Sequence, residues 1–465
     1  KNTKLIKNIK MNENFIELPD NIKYSVMLKW LDENVVKKIS YENNEPARMT
    51  EHRLKSLEIF NNKPMPAWGA DLSALNFDEI VFFAKPEAIV DNAQKREEVP
   101  ADIKEKFEKL GIPEAERKYL AGAGWQFDSS SFYHKIKEKR EKLWIIFEDM
   151  NLALHNHPDI IKKYFMKLVP PTDHKFAALH GAVWSGGTFI YIPQGVKLTE
   201  PLQTYFRMNI MFGWQFEHTL IILEDNTEWA YIEWCSAPKY WEFSLHAGCV
   251  ELFIGKNSKM RYSSVENWSS DTYNLNTKRA ILEENAYIEW ISWNFGSKIS
   301  MLYPMSILKW DNSKADHLWV AMAWNGQIQD IWSKVLHLGK NTSSNIVSKS
   351  ICKEWWDNTY RGLVSIAGNA AGAANSTKCD TILLDGQSKS NTIPKIEVKN
   401  TDSVLSHEAS AGKIDENILF YITSRWLNQN VATALVVNWF VNPIIKKLPL
   451  EYSGELNRLI ELELQ

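Results

Sequence analysis

Glycine is scarce: 20 residues of 465, where the usual share of roughly 7% would give about 33. Tryptophan, ordinarily among the rarest residues, is equally abundant at 20. Cysteine is scarcer still. Cys235, Cys249, Cys352 and Cys379 are too few and too scattered for a disulfide framework, and no CxxC pair suggests a zinc ribbon, so a reducing compartment is expected. Neither sign of charge dominates, with 54 Lys plus Arg against 57 Asp plus Glu and a net charge of −3. That balance leaves no electrostatic footprint for nucleic acid or for an anionic membrane. Long apolar runs are missing too: "ATALVVNWFV" (432–441) falls far short of a bilayer, and the opening "KNTKLIKNIKMNENF" has no apolar signal core. The chain reads as soluble and intracellular. No GxxxxGK[ST], GxGxxG after a strand, HExxH or GxSxG occurs, which argues against nucleotide hydrolysis by the chain itself.

What is present has three textures. Residues 1–170 read as an α-rich N-terminal region, with helices expected at "PADIKEKFEKLG" (100–111) and "PDIIKKYFMKLVPP" (158–171). From about 175 to 400 the chain becomes short runs rich in Ile, Val, Tyr and Thr, separated by Asn, Gly and Ser, which is strand grammar. A token recurs there: an apolar pair, a turn holding Asn, then another strand. Its marker residues Asn226, Asn257, Asn285, Asn312, Asn341 and Asn369 are spaced 31, 28, 27, 29 and 28 apart. A near-constant period built of strands without helices predicts a parallel β-helix over 171–403, with Asn at left-handed corners and inward Ile, Leu and Val faces; the alternative is a large antiparallel sandwich. Residues 404–465 return to helical periodicity, with Asp415 and Glu416 placed for a helix start and breaks expected at Pro443 and Pro449.

Chemistry-bearing residues are few. Cys235 stands in "YIEWCSAPKY", at the end of a strand stopped by Ala237-Pro238, behind a bulky Trp234 where a turning chain prefers something small. Cys379 lies late in the repeats in "STKCDTILLDG", and "SHEAS" puts His407 and Glu408 just after them. Thiolate, imidazole and carboxylate form a mixed ligand set suited to iron or the edge of an Fe–S cluster. On residue type alone the signal is weak, because a buried Cys is usually core and a His-Glu pair usually surface. Cys249 and Cys352 keep the core reading.

Many separate stretches, among them "FAALHGAVWSGGTFIYIPQGV", "LQTYFRMN", "QFEHTLI", "YIEWCSAP", "NLNTKRA", "NTSSNIVSKSI", "KCDTILLD" and "LSHEA", resemble in order and spacing the SufB side of the SufB/SufD family of the SUF iron–sulfur cluster assembly system. The likeness covers nearly the whole chain, without the Cys-rich N-terminal motif of some relatives. It implies a mainly β protein, a right-handed parallel β-helix between helical regions, acting as a non-enzymatic scaffold. Implied partners are the ATPase SufC on the C-terminal helices, the paralogue SufD or a second copy, and a cysteine desulfurase with its sulfur carrier. Cys235 would accept persulfide sulfur, and Arg207, Asn209 and Lys278 would line a route toward Cys379. On composition alone Arg207 and Lys278 are ordinary surface charges. Cys379, with His407 and Glu408, would hold a transient cluster. A reduced flavin is left open, and the location is cytoplasmic or a plastid-type organelle.

Two departures stand out: Ser406 replaces an acidic residue before His407, and His218 stands where Arg is usual. Trp68, Trp184, Trp268 and Trp290 match tryptophans of the family. A dozen others, including Trp30, Trp144, Trp234, Trp293, Trp310, Trp426 and Trp439, stand where relatives commonly carry glycine. The repeats repeat the message, since the position two before the marker Asn is Gly255 or Gly339 in two coils and Trp310 in another. A gene in which UGA means glycine, translated with UGA as tryptophan, would give this pattern. Two rivals remain: a purely structural SufD-like subunit, which would not need Cys235 and Cys379, and a β-helical polysaccharide lyase, which would need clustered carboxylates for Ca²⁺.

Overall fold

The computed structural model describes residues 24–86, 122–127, 130–136, 143–198, 200–208, 214–237, 244–324, 326–354, 357–448 and scattered positions within 453–460. The helix expected at 100–111, the break at Pro449 and Asn209 lie outside these residues. The fold is the parallel β-solenoid that the repeat spacing predicts, of about seven turns, and not the antiparallel sandwich. One sheet stacks Leu202–Arg207, Glu228–Ser236, Lys259–Trp268, Tyr287–Gly296, Lys314–Trp324, Ser343–Lys353, Ala373–Leu383 and Ser403–Lys413, each parallel to the strand before. The facing sheet stacks Thr188–Ile192, His218–Leu223, Cys249–Ile254, Thr277–Leu282, Ile299–Leu308, Ile328–His337, Asp357–Ile366 and Lys389–Val398.

The corners follow from local chemistry. Asn226, Asn257, Asn285, Asn312 and Asn341 have φ of 61, 55, 57, 59 and 52°, the left-handed region that Asn tolerates better than other side chains. Stacking brings the amides into a ladder: Asn285 donates to Asn257 Oδ1 at 3.0 Å and Asn257 to Asn226 Oδ1 at 3.1 Å. Asn369 is the exception, and the left-handed residue of its corner is Gly372 at φ 71°. Gly255 and Gly339 are needed for space rather than for φ. A Cβ on Gly339 would lie 2.2 Å from the Trp310 carbonyl carbon, because each corner rests on the one before it.

Strand alternation then divides the side chains. Inward residues such as Leu252, Tyr262, Ile288, Trp290 and Ile346 form the interior core. Outward Val265, Ile291, Trp293 and Val320 are covered by Val437, Val441 and Ile444 of the helix Gln429–Ile445. That helix runs through Pro443. Pro443 cannot donate to the carbonyl one turn back, at Trp439, and the buried Val441, Ile444 and Ile445 hold the helix end on the sheet despite that lost bond.

The N-terminal region mixes both element types. Helices Glu33–Glu42 and Ala47–Asn62 pack with helix Lys175–Val183 in a second core. Strand Gly122–Phe127 pairs parallel with Leu202–Arg207 and so covers an edge that would otherwise invite association. At the other end the last coil extends to Lys413, which places His407 and Glu408 on the final strand rather than after it. Among the described residues, no helix is long and apolar enough to cross a membrane.

Candidate functional site: two interior thiols

Cys235 is the penultimate residue of its strand, as the Ala237-Pro238 stop predicts, and its side chain points inward with Tyr231 and Glu233. It is 0% exposed. Trp234 points the other way, packing partly buried against the outer core. It lies in regular strand, so no left-handed backbone there calls for glycine.

Around Cys235 the interior is polar. The next coil places Glu266 in register with it. Lys278 reaches from the facing sheet to Glu266 Oε1 at 2.9 Å and Glu233 Oε1 at 3.2 Å, and Tyr262 donates to Glu233 Oε2 at 2.6 Å. His246 contacts the Glu217 carboxylate through Nε2 and Asn274 Oδ1 through Nδ1 at 2.9 Å. Burial, followed by Glu233, Glu217 and Glu266, pushes the Cys235 thiol well above its ordinary range. Although burial pulls the other way, Glu266 and Glu233 hold Lys278 above its ordinary range. Burial also raises Glu233, while Glu266 is lowered, against burial, by Lys278 and His246. Ligand atoms of Glu217, Cys235 and His246 lie within 4.8 Å of one another, and Glu217 Oε2 is buried without a hydrogen bond.

Of the sequence-predicted route, the structure brings Lys278 to the Cys235 chamber. Arg207 is fully buried but pairs in register with Ser236 and donates to its hydroxyl at 3.2 Å, on the opposite strand face from Cys235. Glu217, Glu233, Glu266 and His246 were not singled out from the sequence. The coil period could have found them: 31 residues past Cys235 is Glu266, and 29 past Glu217 is His246.

Cys379 lies five strands along the same sheet, roughly 24 Å at 4.8 Å per strand. Its Sγ is 4.0 Å from His407 Nε2. Register explains the meeting: Thr377 pairs with His407 and Cys379 with Ala409, so thiol and imidazole share the inward face across two neighbouring strands. Glu408 pairs with Lys378 on the outward face and is exposed, so the structure does not bring it to the thiol. Ser406 shares that outward side, beside Ser376. Burial, then Asp380, pushes the Cys379 thiol up to about 12, and burial holds His407 below its usual range, leaving a neutral imidazole lone pair. Between the two thiols the interior is filled by residues such as Tyr262, Trp290, Ile346 and Tyr360.

This burial has a direct consequence. In the native chain Cys235 should react with a maleimide only through opening of the fold, so a stopped labelling experiment read by mass is expected to show labelling at least roughly 100-fold slower than in denaturant.

The chain is a parallel solenoid with a buried thiol in a charged chamber and a second thiol beside a histidine near its terminal coil. The description "SUF system FeS cluster assembly, SufBD core domain" matches residues 206–440, and "SufBD protein N-terminal region" matches 93–204. The chain is 47% identical to the iron–sulfur cluster assembly protein SufB of Bacillus subtilis over 435 residues, covering 94% of this chain and 93% of that one. It is 46% identical, with the same coverage, to an iron–sulfur cluster assembly SufBD family protein of Staphylococcus aureus. The chain therefore belongs to the SufB/SufD family of the SUF iron–sulfur cluster assembly system. These descriptions name cluster assembly and give no support to a flavin.

Proposed function

We propose that the chain is the sulfur-accepting scaffold of its system, non-enzymatic in itself, working in the cytoplasm with an ATPase of the SufC type. The observation that carries the reading is the Cys379–His407 pair on the last coil, where a soft and a borderline ligand face the interior at an open end of the solenoid. A desulfurase-charged carrier would present a persulfide. Once the fold opens to expose and deprotonate it, the Cys235 thiolate attacks the outer sulfur, the donor S–S bond breaks with its electron pair on the donor thiol, and a Cys235 persulfide results with no net redox change. Lys278 stabilises that anion where water is scarce, while Arg207 and Asn209 are proposed to act on the sulfur's route outside the Cys235 chamber. Because the core between the thiols is filled, passage toward Cys379 takes place in an opened state that partner ATP hydrolysis would drive.

The cluster would form at Cys379 and His407 against a paralogue of the SufD type or a second copy. Exposed Ile393, Ile396, Val398 and Val404 on the last two strands supply apolar surface for that contact, and Glu408, on the outward face, would meet the partner rather than the inward thiol. Exposed Phe420, Tyr421, Leu435 and Trp439 on the C-terminal helices suit the ATPase. Anaerobic reconstitution with ferrous iron, sulfide and partners tests the assignment. Cys379→Ala should lower cluster yield at least roughly tenfold. Cys235→Ala should keep the yield from inorganic sulfide and lose the persulfide-dependent yield. A normal cluster in Cys379→Ala sinks the assignment and returns the chain to a structural-subunit role.

A further inference from the structure

Away from both thiol sites, helix Lys175–Val183 meets the facing sheet through His180. His218 and Cys249 open neighbouring strands and are register partners, so their side chains lie together under that helix. All three residues are buried, at 2, 0 and 2% exposure. The two imidazoles face each other, His180 Nε2 lying 3.0 Å from His218 Nδ1. Their outer nitrogens are committed elsewhere: His180 Nδ1 lies 3.1 Å from the Ala247 carbonyl oxygen, and His218 Nε2 lies 3.2 Å from Glu251 Oε2. Glu251 is fixed as an acceptor, because its carboxylate already takes the backbone N–H groups of Met166, Leu168 and Val169 at 2.6, 2.6 and 2.9 Å. A carbonyl and a carboxylate accept, so the outer nitrogens carry the protons and the inner nitrogens present two lone pairs to each other. Apposed lone pairs repel unless a positive centre joins them. The Cys249 thiol completes the group, with all three donor atoms within 4.8 Å of one another.

We propose that His180, His218 and Cys249 bind one divalent metal ion of the zinc class. Two imidazole nitrogens and one sulfur suit zinc and exclude the oxygen-seeking Mg²⁺ and Ca²⁺. The surroundings match those of metal-bound histidines, one ring braced by a carboxylate and the other by a backbone carbonyl. Burial raises the Cys249 thiol, so binding displaces one thiol proton to solvent per ion, leaving the thiolate on the metal. The ion ties the N-terminal helical layer to the early coils of the solenoid, a structural role separate from cluster building.

The test uses the full-length chain in a Cys235→Ala/Cys379→Ala background, which removes the sulfur and cluster thiols. After loading with Zn²⁺ and dialysis, one equivalent should remain, and Co²⁺ in its place should give a thiolate-to-cobalt charge-transfer band. Cys249→Ser should abolish the band, and His218→Arg, whose guanidinium can still pair with Glu251, should weaken zinc binding roughly 100-fold or more while keeping a native circular dichroism spectrum. If either variant does not fold, the background chain decides alone: chelation should expose Cys249 to a thiol reagent and zinc should protect it. Less than a tenth of an equivalent of zinc on the folded background chain, an unchanged cobalt band in folded Cys249→Ser, or Cys249 reactivity indifferent to zinc overturns the site and leaves a shared proton between the imidazoles.

Discussion

Lys278→Met should cost about 3–5 kcal/mol of folding stability, because it strands two buried carboxylates that now share one ammonium. Met fills much the same volume, so the loss is electrostatic rather than a cavity effect. The remedy is equally specific: adding Glu233→Gln and Glu266→Gln to Lys278→Met should recover most of the loss, since the triple variant buries no unpaired charge. The pH profile gives a second readout. In the native chain Glu266 is held low, so its contribution is present above the unfolded carboxylate range and lost as pH falls through its folded value. Glu233 is held high, so its contribution has the opposite sign and is lost as pH rises from the unfolded value through the folded one. Lys278→Met leaves burial and mutual repulsion to raise both carboxylates, opposed at Glu266 by His246 and Asn274. Its stability should therefore fall steadily as pH rises from about 4.5, by about 1.4 kcal/mol for each unit of raised pKa. Urea midpoints across pH 4–8 check both statements, and a variant as stable as the parent at pH 7 would show that the chamber's charges are hydrated.

The parts of this structure that sequence could reach are those set by local chemistry or by period. Asn226 through Asn341 announce left-handed corners because Asn is among the few side chains that accept them, and their spacing announces stacked coils. Cys235 could be placed at a strand end because Pro238 stops the strand. Burial was another matter. Cys235 reads as reachable in the chain, yet it is enclosed, since strand alternation turns it inward together with Glu233. Glu408 reads as a neighbour of His407, yet a continuing final strand turns adjacent residues to opposite faces. Lys278 and Arg207 read as surface charges by residue type, and the pairing that allows Lys278 to be buried comes from Glu233 and Glu266 on other strands. Of the His180–His218–Cys249 group the coil period reaches only His218 and Cys249, 31 residues apart, because His180 sits on a helix outside the repeats.

Replacing Trp30, Trp144 and Trp426 together with glycine should stabilise the chain by about 2 kcal/mol. The three have φ of 56, 57 and 68°, where a bulky L-residue costs roughly 1–2 kcal/mol each, and glycine's greater freedom in the unfolded chain offsets roughly half of that. Nothing is lost in packing, since their rings are 70, 84 and 99% exposed. Trp293→Gly should behave in the opposite way and cost about 3–5 kcal/mol in this chain, because Trp293 is fully buried and stacked on Phe295 beneath the C-terminal helix. Thermal unfolding of the triple and the single variant gives the two signs. The opposition bears on the surplus of tryptophan. Of the tryptophans expected to match the family's, Trp184, Trp268 and Trp290 are buried and Trp68 is exposed; of those expected at glycine positions, Trp30, Trp144, Trp310, Trp426 and Trp439 are exposed and Trp293 is buried. Backbone strain at three of the last-named five exposed positions and open surface at all five are what glycine positions would leave behind if tryptophan were written over them. Peptide mass spectrometry of the protein from its native cell should find glycine at 30, 144 and 426, and at 234 and 310 if the same codon is used there. Tryptophan at 234, 310 and 426 would instead end the glycine reading and mean that the fold carries the strained backbone of Trp426 in the cell.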